Sequence, residues 1–359
     1  MDTYIPFRMR YFFYSKCGVN SLVTTLVFWL GSLAVSPAQL MDWQKTFGGT
    51  EFDNGYSIKP TTDGGYVVAG DTKSNDGNVS GNHGDNDVWV VKLNAFGNIV
   101  WQKALGGTGY DFASAILQTS DRGFVVAATS YSNDGDVRGS HGQSDFWIVK
   151  LNSSGDIVWQ KTFGGSGSEF ANAITATADG GFVVAGLTTS TDGDVHGNHG
   201  RSDMWVLRLN SSGGIVWQKT LGGSSDDGAT SITASADGGF VVAGQTGSND
   251  GDVSGNHGGQ SDAWVVKVSS SGVVVWQRAL GGSDAHGDRA TGIIATTDNL
   301  YMVAGTTSSN DGDVYFNHGG QDAWVIQLND RGNCIGRKHW EAQVKRSPMP
   351  LRQRPMAVF

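Results

Sequence analysis

The chain is organised by a recurring rhythm of short apolar runs broken by polar turns. In one stretch, Ala171–Thr177 leads through Ala178-Asp179-Gly180-Gly181 into Phe182-Val183-Val184-Ala185-Gly186. Two apolar runs joined by an Asp-Gly-Gly turn predict a β-hairpin. A polar segment from Leu187 to Ser202 follows, and then Asp203-Met204-Trp205-Val206-Leu207-Arg208-Leu209. That run turns through Asn210-Ser211-Ser212-Gly213-Gly214 into Ile215-Val216-Trp217-Gln218-Lys219, a second hairpin rich in β-branched and aromatic residues. No helical period occurs across these segments, and Pro60 is the one proline between positions 39 and 335.

The same four runs return along the chain. Trp-Gln-Lys or Trp-Gln-Arg starts at Trp43, Trp101, Trp159, Trp217 and Trp276, at spacings of 58, 58, 58 and 59 residues. A second tryptophan recurs at Trp89, Trp147, Trp205, Trp264 and Trp324. A period of this size marks a repeat architecture, and four strands per unit is the content of one β-propeller blade. Runs such as Trp89-Val90-Val91 are apolar on both faces, as a sheet sandwiched between neighbours requires. The Trp-Gln-Lys strand alternates apolar and polar, which suits an outermost position. The Ala-x-x-Ile strand (Ala113–Ile116, Ala171–Ile174) carries small residues, which suits a crowded axis. In order these are strands A (Ala-x-x-Ile), B (Val-Val-Ala-Gly), C (second tryptophan) and D (Trp-Gln-Lys).

The chain therefore reads as one D strand, then five A-B-C sets with four D strands between them. The expected fold is an all-β propeller of about five four-stranded blades, residues 39–335. If the first D strand supplies the fourth strand of the last set, the ring closes and Trp43 lies beside Trp324. An open, partial ring is the alternative.

Unit by unit, Trp-Gln-Lys-x-x-Gly-Gly and Asp-Gly-Gly-Phe-Val-Val-Ala-Gly resemble the propeller repeats of secreted bacterial proteins, often met beside a C-terminal sorting domain that this sequence does not show. The resemblance implies export and a binding or surface role, with no assigned reaction. Leu151 to Trp159 is similar to the hairpin of pyrroloquinoline-quinone-like propellers, but no quinone is inferred. Thr61-x-Asp63-x-Gly65 is similar to the Asp-box of sialidases. However, Val68 stands where an aromatic is expected and the arginines are irregular, so a sialidase is not supported.

The ends differ from the repeat. Arg8, Arg10 and Lys16 precede an apolar run from Val19 to Val35, followed by Ser36-Pro37-Ala38, the pattern of a secretory signal cleaved after Ala38. A retained anchor is the alternative, and no other segment is long and apolar enough to span a membrane. Cys17 and Cys334 both lie outside 39–333, so an exported form holds no internal disulfide. Of 25 basic and 34 acidic residues, three basic and one acidic precede position 39, and six basic and one acidic follow position 333; the middle keeps 16 against 32, a net −16. So acidic a domain repels the phosphate backbone, and nucleic acid is excluded as a partner.

The basic tail 336–359 is expected to be out of frame. Back-translated and shifted by one base, the codons after Ile335 read Trp-Gln-Glu-Ala-Leu-Gly-Gly-Ser-Ser, the repeat's own next line. A native basic tail is the alternative.

Chemistry is sought in the B–C loops, which share one rim with the D–A connections. Each loop carries Asn/Thr-Asp-Gly-Asn/Asp-Val, and Asp134, Asp136, Asp192, Asp194, Asp250, Asp252, Asp311 and Asp313 are candidate Ca²⁺ ligands, since hard cations take clustered oxygens. The competing reading, preferred here, is that Asn and Asp fold turns by bonding their own backbone. The loop histidines His83, His141, His199, His257 and His318 are expected to bond within their own loops rather than converge on zinc. Departures from the repeat concentrate in the last unit, where His286, Asp288 and Arg289 share one connection and Tyr315-Phe316 replace small residues. These five are the candidate ligand-binding residues, and no catalytic residue is assigned. The expectation is an exported binding module for an extracellular glycan or protein ligand. The alternatives are a glycan-active enzyme using the fifth unit and a truncated product without function.

Overall fold

The computed structural model describes residues 43–335. The expected signal segment 1–38 and the tail 336–359, expected to be out of frame, lie outside the described residues. Nineteen strands form five antiparallel sheets. Blade 1 comprises β1 (Asp53–Pro60), β2 (Tyr66–Thr72), β3 (Asp87–Leu93) and β4 (Ile99–Leu105). Blade 2 comprises β5 (Asp111–Gln118), β6 (Phe124–Ser130), β7 (Asp145–Leu151) and β8 (Ile157–Phe163). Blade 3 comprises β9 (Glu169–Ala176), β10 (Phe182–Thr188), β11 (Asp203–Leu209) and β12 (Ile215–Leu221). Blade 4 comprises β13 (Asp227–Ala234), β14 (Phe240–Thr246), β15 (Asp262–Val268) and β16 (Val274–Leu280). Blade 5 comprises β17 (Arg289–Ala295), β18 (Tyr301–Thr307) and β19 (Asp322–Leu328). The chain folds as a β-propeller, with strands A to D in chain order within blades 1 to 4 and A to C in blade 5.

The A strands pack against one another from blade to blade (β1 on β5, β5 on β9, β9 on β13, β13 on β17), so the sheets converge on an axis. Small side chains permit that approach, and Ala113, Ala171, Ala229 and Ala290 are buried there. Between blades 1 and 2, Val67, Ala69, Val88 and Val90 meet Ile116, Phe124, Val126 and Trp147 in one buried cluster. Equivalent clusters fill the later junctions. The two-sided apolar pattern of strands B and C follows from this, since each side faces a different neighbour. Strand D is wetter, as in β8, where Val158 is exposed while Thr162 and Phe163 are buried.

Each D-strand tryptophan reaches the next blade. Trp101 stands edge-on to Phe124 at 5.7 Å, and Trp276 meets Tyr301 at 6.3 Å. The indole also covers the next blade's C–D turn. Gly155 has φ +84°, and a Cβ there would stand 2.9 Å from Trp101, so both backbone and space demand glycine.

This geometry corrects the expected ring closure. Trp43 lies against Tyr66, with ring centroids 6.1 Å apart, where a preceding blade's D-strand tryptophan would sit. Among the described residues, 43–49 form no strand, and β19 gains only a single bridge between Leu328 and Cys334. Trp43 covers blade 1, as each D-strand tryptophan covers the following blade, but its segment forms no ladder with β19, and blade 5 has three strands. Among the described residues, the open arrangement holds.

Candidate ligand-binding rim

The antiparallel register sets which loops share an end. Thr188, at the end of β10, lies opposite both Glu169 and Asp203, which begin β9 and β11, and Met204 lies opposite Leu221 at the end of β12. The B–C loops and D–A connections thus emerge together.

Their aspartates lock neighbouring segments. Asp134 Oδ1 accepts the amide of Thr108 at 2.7 Å, Asp192 that of Ser166 at 2.7 Å, Asp250 that of Ser224 at 2.8 Å and Asp311 that of Ser283 at 2.8 Å. These amide bonds hold Asp134, Asp192 and Asp250 below the usual carboxylate range; for Asp311 the Ser283 hydroxyl leads. The second aspartate of each pair is looser. Asp136 and Asp194 accept from Gly106 and Gly164 at 3.4 Å, Asp252 stands 4.0 Å from His199 Nδ1, and Asp313 stands 3.5 Å from His257 Nε2. Among the described residues, no three His, Cys, Asp or Glu side chains are grouped as a metal centre requires.

Below the loops lies a carboxylate pair at each junction. The aspartate that opens strand C accepts from its own loop histidine, as Asp203 Oδ2 does from the His199 amide at 2.9 Å and from Nδ1 at 2.8 Å. The acid that opens the next strand A faces it. A Cβ on Gly222 would stand 2.6 Å from Asp203 Oδ1 and 2.6 Å from Asp227 Oδ2, so glycine alone fits between them. Asp87, Asp145, Asp203 and Asp262 each keep a buried Oδ1 with no partner. Burial raises all four above the ordinary carboxylate range, against the bonds from their histidines.

The candidate residues of the fifth unit divide. His286, Asp288 and Arg289 line a cleft of about 570 Å³. Asp288 is one of the regular strand-A acids. It is fully buried, with Oδ2 taken by the Gly282 amide (2.8 Å) and the Ser309 hydroxyl (2.8 Å) and Oδ1 by Thr307 (2.5 Å). The true departures from the repeat are His286 and Arg289. Tyr315 and Phe316, 61% and 80% exposed, lie instead beside a separate depression with Asn317, His318 and Trp324. In other blades the loop carbonyl at that place accepts from the D-strand glutamine, as Ser254 does from Gln277 at 3.0 Å. No such glutamine is present on blade 5 among the described residues.

The mouth of the cleft carries Arg201, Gln245, Gln260, Arg289 and Gln321. Among the described residues, the side chains of the three glutamines and Arg289 make no hydrogen bond or ion pair. The same rim carries a cluster that sequence reasoning missed. Tyr110 meets Phe112 at 5.3 Å and Tyr131 at 6.2 Å, and Tyr131 meets Phe170 at 6.3 Å. Tyr110 and Tyr131 are 38% and 42% exposed, enough to offer ring surface to a ligand. Strand register makes Tyr110 the counterpart of Asp226, Tyr131 that of Gly247, and Phe112 and Phe170 those of Gly228 and Arg289. Three repeat positions that are aromatic in blade 2, one of them also in blade 3, are thus filled by Asp226, Gly247, Gly228 and Arg289 in blades 4 and 5. The available signal was these substitutions at fixed repeat positions, which resemble ordinary strand residues when each unit is read alone.

No family model matches the chain. Regulatory protein FlaEY of Caulobacter vibrioides is 25% identical over 228 residues, which are 60% of this chain. The chain spans 23% of the length of that curated relative. Among solved structures, the Pan2 WD40 domain of Neurospora crassa is similar, with a TM-score of 0.46 and 11% identity, covering 79% of this chain and 64% of that one. A protein of unknown function from Bacteroides caccae has a TM-score of 0.42 and 11% identity, covering 78% and 80%. A putative exo-β-1,3-galactanase from Bifidobacterium bifidum has a TM-score of 0.41 and 10% identity, covering 79% and 91%. Nothing about ligand or chemistry follows from these likenesses. Among the described residues, no helix is long and apolar enough to cross a membrane.

Proposed function

We propose that the chain is an exported glycan-binding module that holds its ligand across the mouth of the propeller. The observation that carries this reading is the pairing, on one rim, of the aromatic cluster Tyr110, Phe112, Tyr131 and Phe170 with a cleft lined by Arg201, Gln245, Gln260, Arg289 and Gln321, Arg289 standing at the repeat position of Phe112 and Phe170. Half-exposed aromatic rings offer an apolar face and, in tyrosine, a polar edge. Sugar rings have an apolar face of their own, with hydroxyls around it. Glutamine amides accept and donate at once, and a guanidinium donates in a fixed fork, so the polar half suits those hydroxyls. Concave sites with few placed polar groups are the usual form of small-ligand sites. Asp288, the junction acid that borders the cleft, has both carboxylate oxygens taken by Gly282, Ser309 and Thr307, which supports binding over hydrolysis.

Isothermal titration of the folded chain against a panel of soluble polysaccharides and oligosaccharides tests this. Binding is expected for at least one of them, with Tyr131→Ala and Arg289→Ala each weakening it about tenfold, or about 1.4 kcal/mol, at an unchanged melting temperature. Release of reducing ends from the bound glycan would transfer the reading to an enzyme. Affinity unaffected by either substitution would remove the mouth as the site.

A further inference from the structure

The five sheets end in two faces that no described residue fully covers, and they match one another. On the trailing side, blade 5 exposes Val325 (64%), whose counterparts Val90, Ile148, Val206 and Val265 are all 0% exposed. Ile294, Ala304 and Ala323 are also exposed there. On the leading side, Ile58 of blade 1 is 58% exposed, while its counterpart Ile116 is fully buried. At every internal junction the first kind of face meets the second, as Val67, Ala69, Val88 and Val90 meet Ile116 and Phe124. Four junctions within the molecule therefore show what covers such a surface.

A polar contact is left over in the same way. In blades 1 to 4 the strand-C indole donates to the strand-D glutamine: Trp89 to Gln102 and Trp205 to Gln218 at 2.9 Å, Trp147 to Gln160 and Trp264 to Gln277 at 2.8 Å. Among the described residues, Trp324 makes no such bond. Gln44, in the remaining Trp-Gln-Lys segment, bonds to no indole. By the register of blade 4, where Lys267 lies opposite Trp276 and Trp264 opposite Ala279, Gln327 would take Trp43 and Trp324 would take Thr46. That places Gln44 as it stands in the other blades.

The geometry points to a second copy of this chain as the occupant of the trailing face, bringing its blade 1 and its segment 43–47. Within one molecule that segment rides on blade 1, as every D strand's tryptophan rides on the following blade, and it forms no ladder with β19. Trp43 covers Tyr66, the Gly49 amide donates to Asp53 at 2.8 Å and the Thr50 amide to Asp76 at 2.8 Å. Closing the gap within one chain would require repacking of four apolar junctions, each a close-packed cluster that resists such change. A second copy docks without disturbing any of them. Because the two faces differ, the contact is head-to-tail, and such contacts propagate unless they close. Exposed apolar patches rimmed by polar residues mark this kind of association.

Light scattering of the full chain after size exclusion, over a range of concentrations, tests the proposal. The unmodified chain is expected to form concentration-dependent oligomers. Val325→Glu and Ile58→Glu, both at solvent-exposed positions of the single chain, should each be monomeric and fold with near-normal melting temperatures. Mixed, they should form a 1:1 dimer and nothing larger, because one intact face of each kind remains. An unmodified chain that stays monomeric overturns the proposal, whether another part of the chain covers the face or the ring closes on itself. In the second case Val325→Glu would also lower the melting temperature sharply. A mixture that remains monomeric, or single variants that still oligomerise, overturns it equally.

Discussion

Replacement of Asp203 by asparagine is expected to stabilise the protein at neutral pH. Asp203 is fully buried at the junction of blades 3 and 4, facing Asp227 across Gly222. One oxygen is well used by His199, but Oδ1 has no partner, and neither does Asp227 Oδ1. A buried acceptor left unmade costs about 1–3 kcal/mol. The asparagine side chain of D203N would keep an oxygen for His199, remove one buried negative charge and offer an N–H₂ donor in place of the orphaned oxygen. Against this, the bond from His199 loses its charge assistance, worth about 1 kcal/mol. The net expectation is about 1 kcal/mol in favour of D203N, a rise of about 2–4 °C in melting temperature for a protein of this size.

The pH dependence gives the sharper test. The folded-state pKa of Asp203 is raised, mainly by burial and with Asp227 adding to it. The folded state therefore holds the proton more tightly than the unfolded one. The unmodified protein carries its full penalty above the folded pKa and sheds it as pH falls toward the unfolded value. The advantage of D203N should be greatest at pH 7 and fade toward pH 4. Calorimetric or denaturant unfolding at both pH values measures this. A variant that is less stable at pH 7, or whose gain does not change with pH, would refute the account.

Other expectations follow from individual contacts. Gly155→Ala must hold φ near +84° and push into Trp101, and should lower stability by about 1–3 kcal/mol in thermal unfolding. Lys267 is buried between Asp237, at 2.8 Å, and Asp330. Lys267→Met should lower stability by about 1 kcal/mol at pH 7, since solvent screens the half-exposed acids. Lys267 holds Asp237 down to about 2, so this contribution is present above the unfolded carboxylate pKa and disappears as pH falls through about 2. For the loop aspartates, addition of a chelator should leave the melting temperature unchanged, because Asp134, Asp192, Asp250 and Asp311 already bind backbone amides; a fall of several degrees would favour the calcium reading.

The blades were legible because their apolar runs are short, two-sided and repeated, and few other architectures satisfy that pattern. The limits of the strands were less so. Strand B of blade 3 runs on past Gly186 to Thr188, and strand A begins at Glu169. Thr188 and Glu169 are polar yet buried beneath the loops, so hydropathy stops short of them. Closed and open rings stayed level because the sequence counts a D strand at 42–47 without showing whether it pairs with strand C of the last set. Asp288 drew notice beside His286, although it is the regular partner of a buried junction. Phe112 and Phe170 passed as strand residues, because nothing in one unit distinguishes an aromatic that fills a core from one that borders an opening.

The junction acids, the glycine between them and the indole that covers the following turn recur in blade after blade, while the residues ringing the mouth differ freely among Tyr110, Asp226, Phe112, Gly228 and Arg289. On the proposed function, scaffold and recognition are therefore carried by separate sets of positions. Specificity can drift one blade at a time without renegotiating the architecture, and newly duplicated units arrive already able to pack, with their contribution to recognition still to be written.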